Sequence, residues 1–524
     1  MPNEKYILAI DLGSSGPKVG LVSTRGEILA SEFERVETLF LPNGGIEQRP
    51  DDWWQAILRA ARRVIRQNPV PAEDILAVNC ASLYSTTLAV GRDGRPLMNA
   101  IFWMDTRGAP YAQEVTNGIF KIQGYGIGKL LTWLRLTGGV PTHSGKDSIA
   151  HILFIKHELP EIYRQTYKFL EPKDYINMRL TGQFAATYDS ANLHWLTDNR
   201  DIYNIVWDNR LLGMAGVERE KLPELRRTLD VLGPLRAEAA RELGLSEKTL
   251  VVAGATDAQS AAIGSGAVRD YEAHLYLGTS SWISCHVPFK KTDLRHSMAS
   301  LPSAIPGKYY IANEQECAGA CLNFLRDNLL YAEDELRTGA PPGNIYEVFD
   351  RMAEQTPAGS EGVIFTPWLV GERTPVEDAL IRGGFFNLSL KTERRVLVRA
   401  VFEGVAYNAR WLLECVERFA GRRMEPINMI GGGAQSDIWC QIHADVLNRA
   451  IRQVKDPIRA GLRGAAFLAA VALGLTTFDE IAARLQIANT FQANPANRRI
   501  YDQLFKEFVS LYQVNRPICA RLNS

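Results

Sequence analysis

Two stretches far apart in the chain share one form. "AIDLGSSGPKVGLV" (9–22) and "LYLGTSSWISCHV" (275–287) each run from an apolar strand into Leu-Gly, then two or three Ser/Thr, then a second strand. A hairpin repeated in this way constrains the fold to two related halves. A length of 524 residues allows each half its own core. The division is expected near residue 250, giving segments 1–250 and 251–524.

The first hairpin is part of a longer run. "KYILAIDLG", "GPKVGLVST" and "GEILASEFERVET" read as an antiparallel meander with turns at "SSG" and "TRGE". "DDWWQAILRAARRVIRQ" has apolar residues at helical spacing, with Asp51 or Asp52 as the expected cap. "ILAVNCAS" and "TTLAVGRDGRPL" read as further strands. The expected class is α/β with an antiparallel start, not a doubly wound repeat.

Charge narrows the partners. Lys plus Arg equals Asp plus Glu at 59 each, so no net field draws nucleic acid or an anionic membrane. No apolar run reaches membrane-spanning length, and "MPNEKYILAIDLG" lacks the pattern of a signal peptide. The seven cysteines form no CxxC pair, and Cys317 and Cys321 in "ECAGACLNFL" read as one packed helix face. His194 and His443 have no metal spacing. These features predict a cytoplasmic protein with small or local partners.

"VVAGATDAQSAAIGSGAV" (251–268) is a buried strand emptying into one acid, Asp257, among small residues. Alone, Asp257 reads as a helix cap. A third strand-to-small-residue turn, "INMIGGGAQSDIW", adds glycines that let backbone approach a ligand, followed by a helix start offering N–H groups. With "DLGSSG" and "LGTSS" it describes a nucleotide cleft between the halves. Asp11 ends its strand and is placed to hold magnesium through water. "GYGIGKLL" is spaced wrongly for a phosphate loop and has Leu130 where Ser or Thr would hold the metal, so 115–146 reads as a flexible surface loop or lid.

The ordered blocks "DLGSSGPKVG", "EQRPDDWW", "WMDTRG", "EPKDYINMRLTGQF", "VVAGATDAQSAAIGSG", "YLGTSS", "PWLVGERTP" and "IGGGAQSDIW" resemble the FGGY carbohydrate kinases, particularly the xylulokinase-like members. The resemblance runs from about residue 6 to residue 475. It implies two actin-like domains of ribonuclease H type flanking a deep cleft, with ATP on one side and a sugar on the other. It implies that Asp257 is the catalytic base and, with Asp11, faces Mg²⁺. It places Ser14, Ser15 and Lys18, and Gly278 and Thr279, beside the phosphates, and Gly432, Gly433 and Ala434 at the nucleoside. It puts Leu83, Tyr84, Trp103, Asp105, Arg107 and Ala258 at the sugar, where Asp105 and Arg107 bind hydroxyls or shape the pocket. Glu372 and Arg373 are expected to be structural. A homodimer is common in the family, although no interface is visible in the sequence.

Several positions depart from the family pattern. The Gln-Met-His block is Ser82, Leu83 and Tyr84 here, the Asn after the catalytic Asp is Ala258, and His151, Phe154 and Asn387 replace a Lys, a Trp and a Gly. These changes leave kinase chemistry intact and put the identity of the sugar in question. The expected function is ATP-dependent phosphorylation of a xylulose-like ketose or a polyol. The rivals are a sugar-binding sensor and an actin- or chaperone-like ATPase. An ordinary carboxylate pKa near about 4 would leave Asp257 ionised at neutral pH.

Overall fold

The computed structural model describes residues 4–523 except 69 and 338. The first sheet is built from β1 (Tyr6–Gly13), β2 (Gly16–Ser23), β3 (Ile28–Phe33), β4 (Ile75–Ser82), β5 (Val231–Pro234) and β6 (Leu250–Val252), in the order β5-β6-β4-β1-β2-β3. β1, β2 and β3 are antiparallel neighbours, whereas β4 and β6 add in parallel on the other side of β1. The second sheet contains β7 (Ala273–Leu277), β8 (Ser281–Val287), β9 (Thr292–Asp293), β10 (Met298–Pro302), β11 (Tyr309–Ala312), β12 (Ile427–Ile430), β13 (Ile451–Val454) and β14 (Ile487–Phe491). Its order, β9-β10-β11-β8-β7-β12-β13-β14, repeats the scheme: β7, β8 and β11 antiparallel, β12 and β13 parallel beside β7. The two similar hairpins in the sequence are thus the β1–β2 and β7–β8 hairpins of two equivalent sheets.

The first sheet is covered on both faces, so its strands alternate between two apolar environments. Leu8, Ile10 and Leu12 pack with Trp53, Trp54, Ile57, Ala61 and Val64 of α1 (Pro50–Gln67). Ile7 and Ala9 pack with Leu462, Ala465, Ala466 and Ala469. Those four lie on α7 (Ala460–Ala472), which comes from the far end of the chain. Among the helices between α1 and α7 are α2 (Ser148–Glu158), α3 (Pro172–Thr181), α4 (Asp257–Gly264), α5 (Arg394–Ala420) and α6 (Asp437–Leu447). α5 and α6 form the core of the second half with β7, β8 and β12, and α8 (Arg498–Asn523) closes the chain. No helix among the described residues is long and apolar enough to cross a membrane.

α4 joins the halves. Its Ala261 packs with Ile430, Val454 and Ala460 of the second half, while α7 beside it lies on the first sheet. The first sheet takes its last strand at Leu250–Val252, across the expected division between residues 250 and 251.

Two local expectations are corrected. α1 starts at Pro50, whose missing N–H costs nothing in a first turn; Asp51 and Asp52 lie inside that turn and neither is the cap. The 115–146 stretch, expected as a flexible loop or lid, forms a short hairpin (Lys121–Ile122 with Tyr125–Gly126) and a helix, Ile127–Leu136, anchored by buried Trp133. Lys129, the lysine of the phosphate-loop lookalike, donates to the Val115 carbonyl at 2.6 Å.

Candidate active site

Three turns meet where the halves face each other. At the end of β1, Asp11 is 8% exposed, and its register partner across the hairpin is Lys18. The Lys18 Nζ lies 3.4 Å from Asp11 Oδ2, and that carboxylate raises the lysine pKa. The first turn of α7 closes over the same carboxylate, since a Cβ on Gly461 would sit 2.6 Å from Asp11 Oδ2.

Asp257 opens α4 at its first helical position; Thr256 is the cap residue, so the capping role read from the sequence does not fall to Asp257. A buried polar network fixes the approach to it. Asn177 Nδ2 and Lys173 Nζ donate to the Ala253 carbonyl at 2.8 and 3.3 Å. Lys173 is paired with Asp174 at 2.5 Å, and Asp189 Oδ2 accepts the Thr256 amide at 2.7 Å. Gly254 has φ +74°, and a side chain there would press into the Cys80 carbonyl. The "EPKDYIN" block therefore serves as the support under Asp257.

Burial, followed by the nearby Asp11 charge, pushes the Asp257 pKa up to about 7. This corrects the expectation of an ordinary value, because the sequence shows neither the depth of the site nor the neighbouring carboxylate. A group poised there holds or releases a proton at neutral pH. Two neighbouring carboxylates also suit a hydrated divalent cation.

Ser14 and Ser15 stand exposed at the tip of the first hairpin, and Thr279 beside Gly278 at the tip of the second. The glycine loop adjoins the second tip, since a Cβ on Gly431 would lie 2.5 Å from the Leu277 carbonyl. Gly432 is exposed and Gly433 half-buried. Among the residues expected at the sugar, Tyr84 and Ala258 are partly accessible, and Trp103 Nε1 donates to Ser14 Oγ at 3.1 Å, linking this wall to the first hairpin.

Three residues expected to contact ligands are enclosed instead. Leu83 is buried, with its amide bonded to the Leu12 carbonyl. Ala434 is buried, with its carbonyl taken by Gln453 Nε2 at 2.9 Å. Asp105 is 0% exposed, holding the Ile46 amide at 2.8 Å and the Arg107 Nε at 2.9 Å. Arg107 also bridges to Glu47 at 2.8 Å. Of the two roles read for the Asp105–Arg107 pair, the geometry supports shaping the pocket.

Sequence reasoning missed Tyr276 and the two acids that bind Arg373. Tyr276 stacks on Trp282 at 3.9 Å, and Lys18, Asp11 and Asp257 all act on its phenol. The two lie opposite each other in the second hairpin, a pairing legible once its register is set. Arg373 bridges Glu314 at 2.5 Å and Glu316 at 2.9 Å, and Lys146 lies 4.0 Å from Glu316. Neighbouring Glu372 is buried and accepts from the Glu316 amide at 3.0 Å and from Asn408 Nδ2 at 2.6 Å, a structural arrangement.

Two equivalent sheets, a junction acid and three small-residue turns define a two-domain phosphotransferase. The N-terminal domain of the FGGY family of carbohydrate kinases matches residues 6–264 and the C-terminal domain residues 273–473. The chain belongs to the FGGY family of carbohydrate kinases. It is 29% identical to the xylulose kinase of Bacillus subtilis (strain 168) over 99% of both chains. The gluconate kinase from Lactobacillus acidophilus superposes with a TM-score of 0.86 at 26% identity, over 99% of this chain and 100% of that one. A ligand-bound xylulose kinase from the same organism gives 0.84 at 26% identity, over 98% of each.

Proposed function

We propose that this carbohydrate kinase transfers the γ-phosphoryl group of ATP to a terminal hydroxyl of a ketose, D-xylulose, with Asp257 taking the hydroxyl proton. The observation that carries this reading is Asp257 itself, with its pKa raised to about 7, at the meeting point of both hairpins. Phosphoryl transfer depends mostly on positioning and charge neutralisation, and the base acts as the acceptor oxygen bonds to phosphorus. Asp257 orients the hydroxyl and accepts its proton. Lys18, Ser14, Ser15, Gly278 and Thr279 receive the phosphates, and Gly432 and Gly433 the nucleoside. Asp11 and Asp257 are the residues to hold Mg²⁺, which when bound neutralises charge on the phosphates.

Relatives at similar distance are named for xylulose and for gluconate, so the choice of sugar rests on this chain's own residues. The cations near Tyr84 are already engaged: Arg373 by Glu314 and Glu316, Lys146 beside Glu316. Such pairing favours a neutral ketose over a sugar acid. The seven cysteines are free and buried, which fits the cytoplasmic setting we assign.

The test is coupled ADP release with Mg-ATP and D-xylulose, other ketoses, polyols or D-gluconate, each against a blank without sugar. The proposal expects a response to D-xylulose above that to D-gluconate; a response confined to D-gluconate refutes the choice of sugar. Lys18→Met should raise the KM for ATP about tenfold, the effect of losing a charge-assisted phosphate contact. Because Lys18 lowers the Asp257 pKa, the same change should move the acid limb of the kcat profile to higher pH. An unmoved limb would separate Lys18 from Asp257.

A further inference from the structure

Beside Asp257 a small cavity opens from the sugar side, with partly exposed Tyr84 and Ala258 at its mouth and Asp189, Asn192, Gln259 and Tyr310 in its walls. The small Ala258 side chain and the Tyr84 ring border the entrance. Inside, Asp189 is fully engaged, one oxygen accepting from Thr187 Oγ1 at 2.6 Å and the other from the Thr256 amide at 2.7 Å. Gln259 is engaged at both ends, with the Pro302 carbonyl and the Ala304 amide. Asn192 and Tyr310 differ. Asn192 is 3% exposed, and neither its Oδ1 nor the Tyr310 hydroxyl has a hydrogen-bond partner among the described residues.

A buried amide oxygen without a donor is costly, so the cavity calls for a group that supplies one. A hydroxyl both donates and accepts, and satisfies the amide in either orientation. A carboxylate does not fit: it would lie against the Asp189 carboxylate, and no lysine or arginine lines the cavity among the described residues. We propose that this cavity seats the neutral hydroxymethyl end of the sugar remote from the transferred phosphoryl group, with Asn192 as the specificity-determining contact and Ala258 as the residue that keeps the entrance open. This rests on the ketose-kinase reading above and adds a pocket that discriminates by the far end of the substrate.

The test uses D-xylulose and 1-deoxy-D-xylulose, which differ only in the hydroxyl on the terminal carbon beside the carbonyl. Both are titrated calorimetrically into the full chain, alongside sugar-dependent ADP release. Wild type should bind D-xylulose at least about tenfold more tightly, as expected when a missing hydroxyl leaves a buried amide unpaired. Asn192→Leu should bind the two sugars alike while keeping wild-type ATP affinity. Ala258→Leu, which plugs the entrance, should also erase the preference, and decides the matter if Asn192→Leu fails to fold. Equal binding by wild type, or a preference that survives in the folded variants, overturns the pocket assignment while leaving sugar-dependent ADP release standing. Absence of both D-xylulose binding and sugar-dependent release overturns the ketose reading, and this inference with it.

Discussion

Replacing Asp257 with Asn should lower kcat by about 10²- to 10⁴-fold, the range lost when a positioned general base is removed, while leaving the affinity for ATP near that of wild type. The side chain keeps its shape and loses only its ability to take a proton. The same variant carries a pH signature in the ligand-free protein. The folded-state pKa of Asp257 is raised from 3.8 to about 7, so its contribution to stability is complete below pH 4 and is lost as pH rises through 7. Asp257→Asn should therefore gain stability relative to wild type from pH 4 to pH 8, measured by thermal melting, and excess magnesium should narrow the gap by favouring the ionised acid in wild type. A variant with undiminished turnover would remove Asp257 from the base's role. A stability difference that does not change with pH would contradict the raised pKa.

The second large effect is expected at Gly464, one helical turn beyond Gly461. α4 and α7 cross through glycine contacts: a Cβ on Gly464 would press into the Ser260 carbonyl, and one on Gly264 into the Ala460 carbonyl. Neither obstacle is the flexible end of a side chain, so the helices would have to move apart. Gly464→Ala should cost about 1–3 kcal/mol or more in urea denaturation. It should also reduce kcat, because α4 carries Asp257 and α7 closes over Asp11 through Gly461. Gly213→Ala is the control: a side chain there meets nothing within 4 Å and sits in a helix, so stability should hold or rise. If Gly464→Ala is as stable and active as wild type, the close crossing does not set the geometry of the site.

Much of this architecture is legible in the sequence because the strands have sharp ends. "INMI" is β12 residue for residue, and the two Leu-Gly hairpins fall on equivalent strands of equivalent sheets. The acid at the end of "VVAGATD" stands out because small residues around it leave space. What the sequence conceals is long-range packing. Nothing in "AGLRGAAFLAAVA" shows that this helix, from the second half, lies on the first sheet and braces Asp11. The resemblance of the Trp103–Asp105–Arg107 block to the family marks Asp105 as a sugar contact, yet its carboxylate is taken by nearby Arg107 and by the Ile46 amide, which only the fold brings to it. The raised pKa of Asp257 is a property of depth and of Asp11, 246 positions away, and no local pattern carries it. Asn192 likewise stands out only once its neighbours are seen to leave it unpartnered.

The central claim is that sugar and ATP meet at Asp257 and that a phosphoryl group passes between them. The most direct measurement follows both products together, incubating the full chain with Mg-ATP and D-xylulose, quantifying ADP enzymatically and sugar phosphate by ³¹P NMR, with Asp257→Asn and a blank without sugar in parallel. The account predicts one sugar phosphate for each ADP in the wild-type sample, with both products formed about 10²- to 10⁴-fold more slowly in the variant. ADP that accumulates equally with and without sugar, with no sugar phosphate formed, would contradict it.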